Sequence, residues 1–222
     1  MSHALIGSAL MTGDQVRPVD PEERRRPGGL AGRRGRIIVL LGTDGAGKTT
    51  IAAALVAAEQ AAGRPAILLR NRSGRRWLSR TAARCGLAVP IRWVDRVETV
   101  VRTANVLVAR ARGRHREGLV VMDRHLVCQL VLRRVRGLPP GRVLPWLAAW
   151  VLRGVIVIVL DVPAETAQAR ILTRGEDDEP LEYLRAARSA YLELAQDHGW
   201  ALVDATGVPE AVIDRVAQAA RL

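Results

Sequence analysis

The residues best suited to chemistry lie in one glycine-rich stretch that fits the phosphate-binding pattern G-x-x-x-x-G-K-[ST] without a gap. Glycines allow backbone N–H groups to turn inward and surround an anion, because no side chains stand in the way. In this pattern the lysine reaches the β- and γ-phosphates of a nucleotide, and the hydroxyl that follows coordinates Mg²⁺. The stretch consists of Gly42, Thr43, Asp44, Gly45, Ala46, Gly47, Lys48, Thr49 and Thr50.

Lys48 is the only lysine in the chain. The other strongly basic side chains are all arginines, and phenylalanine is absent, which indicates a bias in codon usage. A lysine that remains where a compact ammonium group is needed supports phosphate binding, because guanidinium differs from ammonium in shape and hydration. The alternative is a glycine-rich turn that matches the pattern by chance.

The segments on either side of this loop have the character that phosphate binding requires. Residues 36–41 form a β-branched apolar run of strand length. Residues 51–60 are strong helix formers without a breaker. A helix in that place directs its free N–H groups and the positive end of its dipole at the bound anion. The sequence therefore predicts strand, loop and helix in succession.

The rest of the chain alternates predicted strands with predicted helices. Such alternation predicts an α/β fold, with a parallel sheet covered by helices on both faces. Ligands of such sheets bind at the carboxyl ends of the strands, where Arg70, Asp123 and Asp161 lie beside the loop. The further strands are predicted at 66–70, 118–123, 155–160 and 201–204, and the further helices at 73–84, 91–111, 124–136, 144–152, 163–174, 181–197 and 209–220.

Length and composition indicate one globular domain with a tail. The chain has 222 residues, of which 49% are hydrophobic. Proline, glycine and arginine dominate residues 1–35, which are predicted to be a disordered basic tail ahead of a domain at 36–222. Cys85 and Cys128 fit neither a disulfide framework nor a metal pattern, so a reducing cytoplasm is expected. The apolar stretch 4–11 is short and lacks a charged lead, so no signal peptide is expected.

Charge is concentrated in one segment. The formal net charge is +12, and residues 64–116 alone contain 14 arginines against two acids. Such a field attracts an anion, either nucleotide phosphates, a nucleic acid or an acidic membrane; a solvated basic face is the alternative. The apolar run 143–162 is long enough to span a membrane, but Arg153 and Gly154 interrupt it and its second half is β-branched. A helix followed by a central strand is therefore predicted, and no membrane partner is expected.

Several stretches together resemble the thymidylate kinase family of P-loop nucleoside monophosphate kinases. An Asp-Gly pair inside the phosphate loop is typical of that family, and the match covers most of 36–222. The stretches are Asp44-Gly45 in the loop, Asp123-Arg124-His125 after the third strand, the run from 160–163 through 169–176 to Tyr191 and 192–195, and more weakly 94–98.

The resemblance implies a three-layer P-loop NTPase fold with a parallel sheet of about five strands. It also implies transfer of the ATP γ-phosphoryl group to a nucleoside monophosphate such as thymidylate, a reaction that depends on positioning and charge stabilisation. Residues 42–50 would bind ATP, while Thr49 and Asp123 would hold Mg²⁺ and Asp44 would orient metal and acceptor. The arginines expected to grip the acceptor phosphate are Arg70, Arg96 and Arg124, since a forked guanidinium suits phosphate oxygens.

The resemblance also places a catalytic arginine. Some members carry it at the position of Gly45, and those with glycine there supply it from a lid, here at about 170–180. Arg170 and Arg174 are the candidates, and exposed helical arginines are the alternative. For Asp123 and Arg124, the alternative is a strand-end cap with a surface ion pair.

The sequence departs from the family where the acceptor is recognised. Residues 70–74 read Arg-Asn-Arg-Ser-Gly in place of Arg-Glu-Pro-Gly-Gly, and no phenylalanine can stack on thymine. Trp77 or Trp93 could supply a flat surface instead, although core packing is the other role for both. Cys128 stands where serine is usual, and the acidic residues 177–179 include no arginine.

These departures leave three interpretations of function open. The first is a kinase of thymidylate or another nucleotide. The second is a kinase of the same fold that acts on a nucleoside or metabolite. The third is a nucleotide-responsive protein that binds nucleic acid through 64–116, although complete Lys48, Thr49 and Asp123 favour retained catalysis. A homodimer through 91–111 is expected by resemblance alone.

Overall fold

The computed structural model describes residues 35–70, 100, 103–108, 110–111, 117–123, 125–139, 141–175 and 179–222. The predictions for the tail at 1–34, for the altered acceptor stretch at 71–74 and for the acids 177–178 lie outside the described residues. The same holds for Trp77, Trp93, Arg96 and Arg124. The domain boundary near residue 35 stays a prediction.

Five parallel strands form one sheet in the order β2-β3-β1-β4-β5. This confirms the predicted α/β class and the predicted parallel sheet of about five strands. The loop that follows β1 therefore emerges at the centre of the sheet, between the ends of β3 and β4. The strands are β1 (Arg36–Leu41), β2 (Ala66–Arg70), β3 (Leu119–Asp123), β4 (Ile156–Asp161) and β5 (Ala201–Asp204).

Helices cover both faces of this sheet, as predicted. Ile38 and Leu40 of β1 pack into one apolar cluster, and Val39 and Leu41 pack into the other. Strands buried on both faces read as continuous apolar runs, which explains the composition of β1. The helices are α1 (Lys48–Ala61), α2 (Leu126–Val135), α3 (Val143–Val151), α4 (Ala164–Thr173), α5 (Leu181–His198) and α6 (Pro209–Ala220), and residues 103–108 are helical as well.

The long apolar run at 143–162 folds as a helix and a central strand. Helix α3 ends at Val151, a turn at 152–154 contains Arg153 and Gly154, and β4 then enters the core. No helix among the described residues is long and apolar enough to cross a membrane. The cytoplasmic location stays a prediction.

Candidate active site

The phosphate loop is held tightly between the sheet and α1. Gly42 has φ +139°, and a Cβ built there would lie 2.5 Å from the carbonyl oxygen of Leu160 in β4. The loop closes on itself through a hydrogen bond from Ala46 N to Thr43 O at 3.2 Å, and α1 begins with Ile51 N donating to Gly47 O at 3.0 Å. Only glycine at position 42 allows the loop to leave β1 so close to β4.

The Lys48 side chain is buried inside this loop. Its Nζ donates to the carbonyl oxygens of Gly42 and Thr43 at 2.9 and 2.6 Å, and it lies 3.6 Å from an Asp44 carboxylate oxygen. Only 6% of its side chain is exposed, so the ammonium group is desolvated and fixed by the loop itself. A cation held in this way is prepared to meet an anion at the N terminus of α1.

Thr49 and Asp123 come together from distant parts of the chain. Thr49 Oγ1 donates to Asp123 Oδ2 at 2.6 Å. The other carboxylate oxygen of Asp123 is buried and has no hydrogen-bond partner among the described residues. A buried carboxylate oxygen without a donor is costly unless a ligand compensates it.

This pair of oxygen donors fits Mg²⁺. Magnesium prefers oxygen ligands and is usually bound by one or two carboxylates together with substrate phosphates, rather than by a cage of side chains. The described part of the chain has no group of three or more His, Cys, Asp or Glu residues able to hold a metal ion.

Arg70 is the one predicted acceptor-phosphate arginine that lies among the described residues. It ends β2, its side chain is exposed, and its Cα is paired in register with that of Asp123. Arg70 and Asp123 therefore end neighbouring strands at the same edge of the sheet. The predicted grouping of Arg70 with Arg96 and Arg124 stays a prediction.

Arg170 and Arg174 lie at the end of α4, beside the phosphate loop. Arg170 donates from Nη1 to Gly45 O at 3.4 Å and from Nη2 to Ala205 O at 3.2 Å. Arg174 directly follows α4, is exposed, and donates from Nε to Arg170 O at 3.2 Å. The two candidate lid arginines thus have different surroundings.

A cavity of about 520 Å³ opens beside the phosphate loop. Its walls are the loop at 45–47, the first turn of α1, helix α4 and the segment 205–209 that joins β5 to α6. Both Arg170 and Arg174 line it, and none of the described residues that line it is acidic. The volume suits a small-molecule ligand. Sequence reasoning missed the segment 205–209, although its place after a strand end could have indicated it.

His125, two residues after the end of β3, is fully buried. Neither ring nitrogen has a hydrogen-bond partner among the described residues. Burial, and then the nearby positive charge of Arg110, lower the pKa of His125 from 6.5 to about 3. The imidazole is therefore neutral near pH 7 and brings no charge to the site.

Tyr191 lies in the core between α2 and the phosphate loop. Burial, and then the neighbouring Cys128 thiol with which its hydroxyl is hydrogen-bonded, raise the pKa of Tyr191 well above its ordinary value. The Asp44 carboxylate raises it further. Cys128, which stands where serine is usual in the resembling family, thus contacts a buried tyrosine near the loop.

Arg188 is a residue that sequence reasoning missed. It projects from α5 and binds Asp161, at the end of β4, with Nε to Oδ1 at 2.6 Å and Nη2 to Oδ2 at 2.9 Å. The hydrogen bond to Asp161 raises the pKa of Arg188. This bidentate pair braces α5 against the strand beside the phosphate loop.

Replacing Arg188 with methionine is expected to lower the free energy of unfolding by about 1 kcal/mol, because a part-buried carboxylate loses a bidentate partner. Arg185→Met is the matched control: it removes another arginine of α5, whose partner Glu165 is 58% exposed, so no measurable loss is expected. Urea unfolding measures both variants. Equal losses would show that the Asp161 pair is no stronger than a surface pair.

The fold and this site define a class of protein. A phosphate loop after the central strand, a buried loop lysine and a Thr–Asp pair at the neighbouring strand end are the parts of a P-loop enzyme that handles nucleotide phosphates. The cavity next to the loop offers room for the rest of a nucleotide.

Comparison with known proteins narrows this class to one family. The chain is 30% identical over 200 residues to a thymidylate kinase of Xanthomonas oryzae pv. oryzae (strain PXO99A), covering 85% of this chain and 81% of that protein. It is also 30% identical over 204 residues to a thymidylate kinase of Xanthomonas campestris pv. campestris (strain B100), covering 84% and 81%. No family model matches the chain. The chain belongs to the thymidylate kinase family, and it is a P-loop phosphotransferase that uses ATP.

Proposed function

We propose that this enzyme transfers the γ-phosphoryl group of MgATP to the phosphate of thymidylate, forming thymidine diphosphate and ADP. Family membership supports nucleoside monophosphate kinase activity, and thymidylate as the acceptor is the finer part of the proposal. The observation that carries it is the phosphate loop with Lys48 buried inside and the Thr49–Asp123 pair at its edge.

In this proposal each part of the loop has one role. The loop amides and Lys48 hold the triphosphate, and Lys48 neutralises charge on its β- and γ-phosphates. Thr49 and Asp123 hold Mg²⁺, which supplies charge neutralisation on the phosphate oxygens when it is bound. Asp44, close to Lys48 and at the mouth of the loop, orients the ion and the acceptor.

The cavity beside the loop is proposed to take the base and ribose of ATP. It is continuous with the loop at 45–47, and its lining is largely apolar, as base binding requires. The phosphates would then extend from the cavity along the N terminus of α1, toward the edge of the sheet where Asp123 and Arg70 lie.

Arg174 is proposed as the arginine that stabilises the transferred phosphoryl group. Its side chain is exposed and lines the cavity, and among the described residues it makes a hydrogen bond through Nε and none through its two terminal nitrogens. An arginine that approaches the transferred group stabilises its developing charge. Arg124, Arg96 and Arg70 stay proposed for the acceptor phosphate.

The residues expected to recognise the acceptor favour a second candidate function. Cys128 in place of serine, beside the buried Tyr191, and the altered residues 70–74 favour a kinase of the same fold with another small acceptor, such as a nucleoside or metabolite. A nucleic-acid-binding role for 64–116 and a homodimer through 91–111 also stay proposals. Val100 and Val108, in the described part of that helix, are exposed apolar residues suited to such a contact.

A coupled assay of ADP release from MgATP, against a panel of nucleoside monophosphates and nucleosides, tests the acceptor. We expect thymidylate to stimulate ADP release most, because the phosphotransfer groups are complete and the family acts on that nucleotide. Stimulation by a different acceptor would move the enzyme to a sister specificity. No stimulation by any acceptor, with ATP binding intact, would overturn the proposed reaction.

A further inference from the structure

Helix α4 packs directly against the phosphate loop, backbone to backbone. Gly45 has φ +83°, and a Cβ built there would lie 2.8 Å from the Cα of Ala167 and closer still to its carbonyl oxygen. No side chain fits in that space, so glycine is required both by the conformation and by the contact. The loop and α4 therefore form one continuous wall of the cavity.

Arg170 lies one helical turn after this contact and links α4 and the phosphate loop to the segment that follows β5. Its two terminal nitrogens donate to different segments, Nη1 to Gly45 O and Nη2 to Ala205 O. Gly45 follows β1 and Ala205 follows β5, and β4 separates these strands in the sheet. One planar guanidinium fork thus bridges two loops that the sheet itself does not bring into contact.

The segment reached by Arg170 is otherwise anchored away from the phosphate loop. Ala205 N donates to Asp161 O at 2.7 Å, and Thr206 N donates to Asp204 Oδ1 at 2.9 Å. Arg215 of α6 donates to Thr206 O at 2.8 Å. These bonds tie the segment to β4, β5 and α6, whereas the bond from Arg170 links it to α4 and, through Gly45, to the phosphate loop.

We propose that Arg170 is a positioning residue that sets the width of the cavity, and so the affinity for the nucleoside part of the donor nucleotide, by clamping the phosphate loop to the segment 205–207. This inference rests on the proposed function for the identity of the donor. It separates Arg170 from Arg174: Arg170 donates to two carbonyl oxygens in the cavity wall, whereas the terminal nitrogens of Arg174 have no hydrogen-bond partner among the described residues.

Hydrogen exchange of the nucleotide-free protein tests the clamp without relying on any activity. In Arg170→Ala, amides at 42–47 and 204–208 are expected to exchange faster than in the wild type, because two anchored loops lose their shared partner. Arg185→Ala is the matched control, since it removes an arginine that also holds α4, through the exposed Glu165. Unchanged exchange at both loops in Arg170→Ala would overturn the clamp.

The affinity for MgATP tests the predicted effect of the clamp on nucleotide binding. Loss of two hydrogen bonds from a charged donor is expected to raise the Kd of MgATP by about tenfold to a hundredfold, while kcat at saturating MgATP stays within about threefold of the wild type. Inorganic tripolyphosphate, which lacks the nucleoside, should lose much less affinity. A positioning role predicts this contrast, whereas general loss of folding would weaken both ligands equally.

Two further variants, Gly45→Ala and Arg170→Lys, also test the clamp. Gly45→Ala pushes α4 away from the loop and should also weaken MgATP binding. It therefore tests the clamp independently if Arg170→Ala folds poorly. Arg170→Lys keeps the charge without the fork, so its affinity for MgATP should also fall. A kcat that drops about a thousandfold in Arg170→Ala, with Kd unchanged, would make Arg170 a catalytic arginine and overturn the clamp.

The clamp and the proposed function would be contradicted by different results. If the wild type binds no nucleotide, the proposed function is wrong, yet hydrogen exchange still decides whether Arg170 holds the two loops together. If the wild type transfers phosphate but Arg170→Ala matches it in exchange and in MgATP affinity, the clamp alone is wrong.

Discussion

Replacing Lys48 with alanine is expected to lower the rate of phosphoryl transfer by about a hundredfold or more, while the protein stays folded. The ammonium group is buried in the loop, held by two carbonyl oxygens, and is the charge best placed to meet the β- and γ-phosphates. Its removal leaves those carbonyls facing the hollow of the loop, where water can reach them. The coupled ADP-release assay measures the rate, and thermal unfolding followed by circular dichroism checks the fold.

The single lysine also permits a chemical control for this prediction. An amine-selective label on a side chain can report only Lys48, because the chain has no other lysine. MgATP is expected to protect Lys48 from labelling, as measured by mass spectrometry of the peptide that contains it. Lys48→Arg should recover little activity, since a guanidinium does not fit a place made for a compact cation. Full activity in Lys48→Ala, or labelling unaffected by MgATP, would contradict the phosphate-loop interpretation.

The part of the fold that surrounds the loop could be predicted because its signals are local. Strand β1 is apolar on both faces since two layers of helices bury it, and α1 follows without a helix breaker. Within the apolar run at 143–162, Arg153 and Gly154 mark the break between a helix and a strand, and they lie in the turn between α3 and β4. In each case neighbouring residues in the sequence carried the information.

The rest of the site depends on contacts between distant residues, which residue types alone do not specify. Arginine binds carbonyl oxygens and carboxylates as readily as phosphates, so its presence near a lid does not decide its partner. Arg170 meets Gly45 across 125 positions of the chain, and Arg188 meets Asp161 across 27. His125 is likewise fully buried, which the residues next to it in the sequence do not indicate.

Replacing Asp123 with asparagine is expected to remove most of the activity as well. The amide can still accept the hydrogen bond from Thr49, but it lacks the charge and one of the two oxygens that make the carboxylate a ligand for Mg²⁺. A fall of about a hundredfold in kcat/KM is expected, with a higher Mg²⁺ concentration needed for half-maximal rate. Titration of the activity with Mg²⁺ measures both effects. Thr49→Ser is the matched control, because it keeps the hydroxyl that contacts Asp123.

Stability distinguishes this role of Asp123 from a strand-end cap. A carboxylate that caps the strand would stabilise the fold, so Asp123→Asn would lower the free energy of unfolding. A carboxylate that binds a metal ion instead lowers the stability of the fold when the ion is absent, since one of its oxygens is buried with no partner among the described residues. Without Mg²⁺ and nucleotide, Asp123→Asn should therefore unfold at the same or higher urea concentration than the wild type. Reduced stability together with an unchanged requirement for Mg²⁺ would identify Asp123 as structural. A ligand of the ion should instead be needed for activity and lower the stability of the ion-free protein.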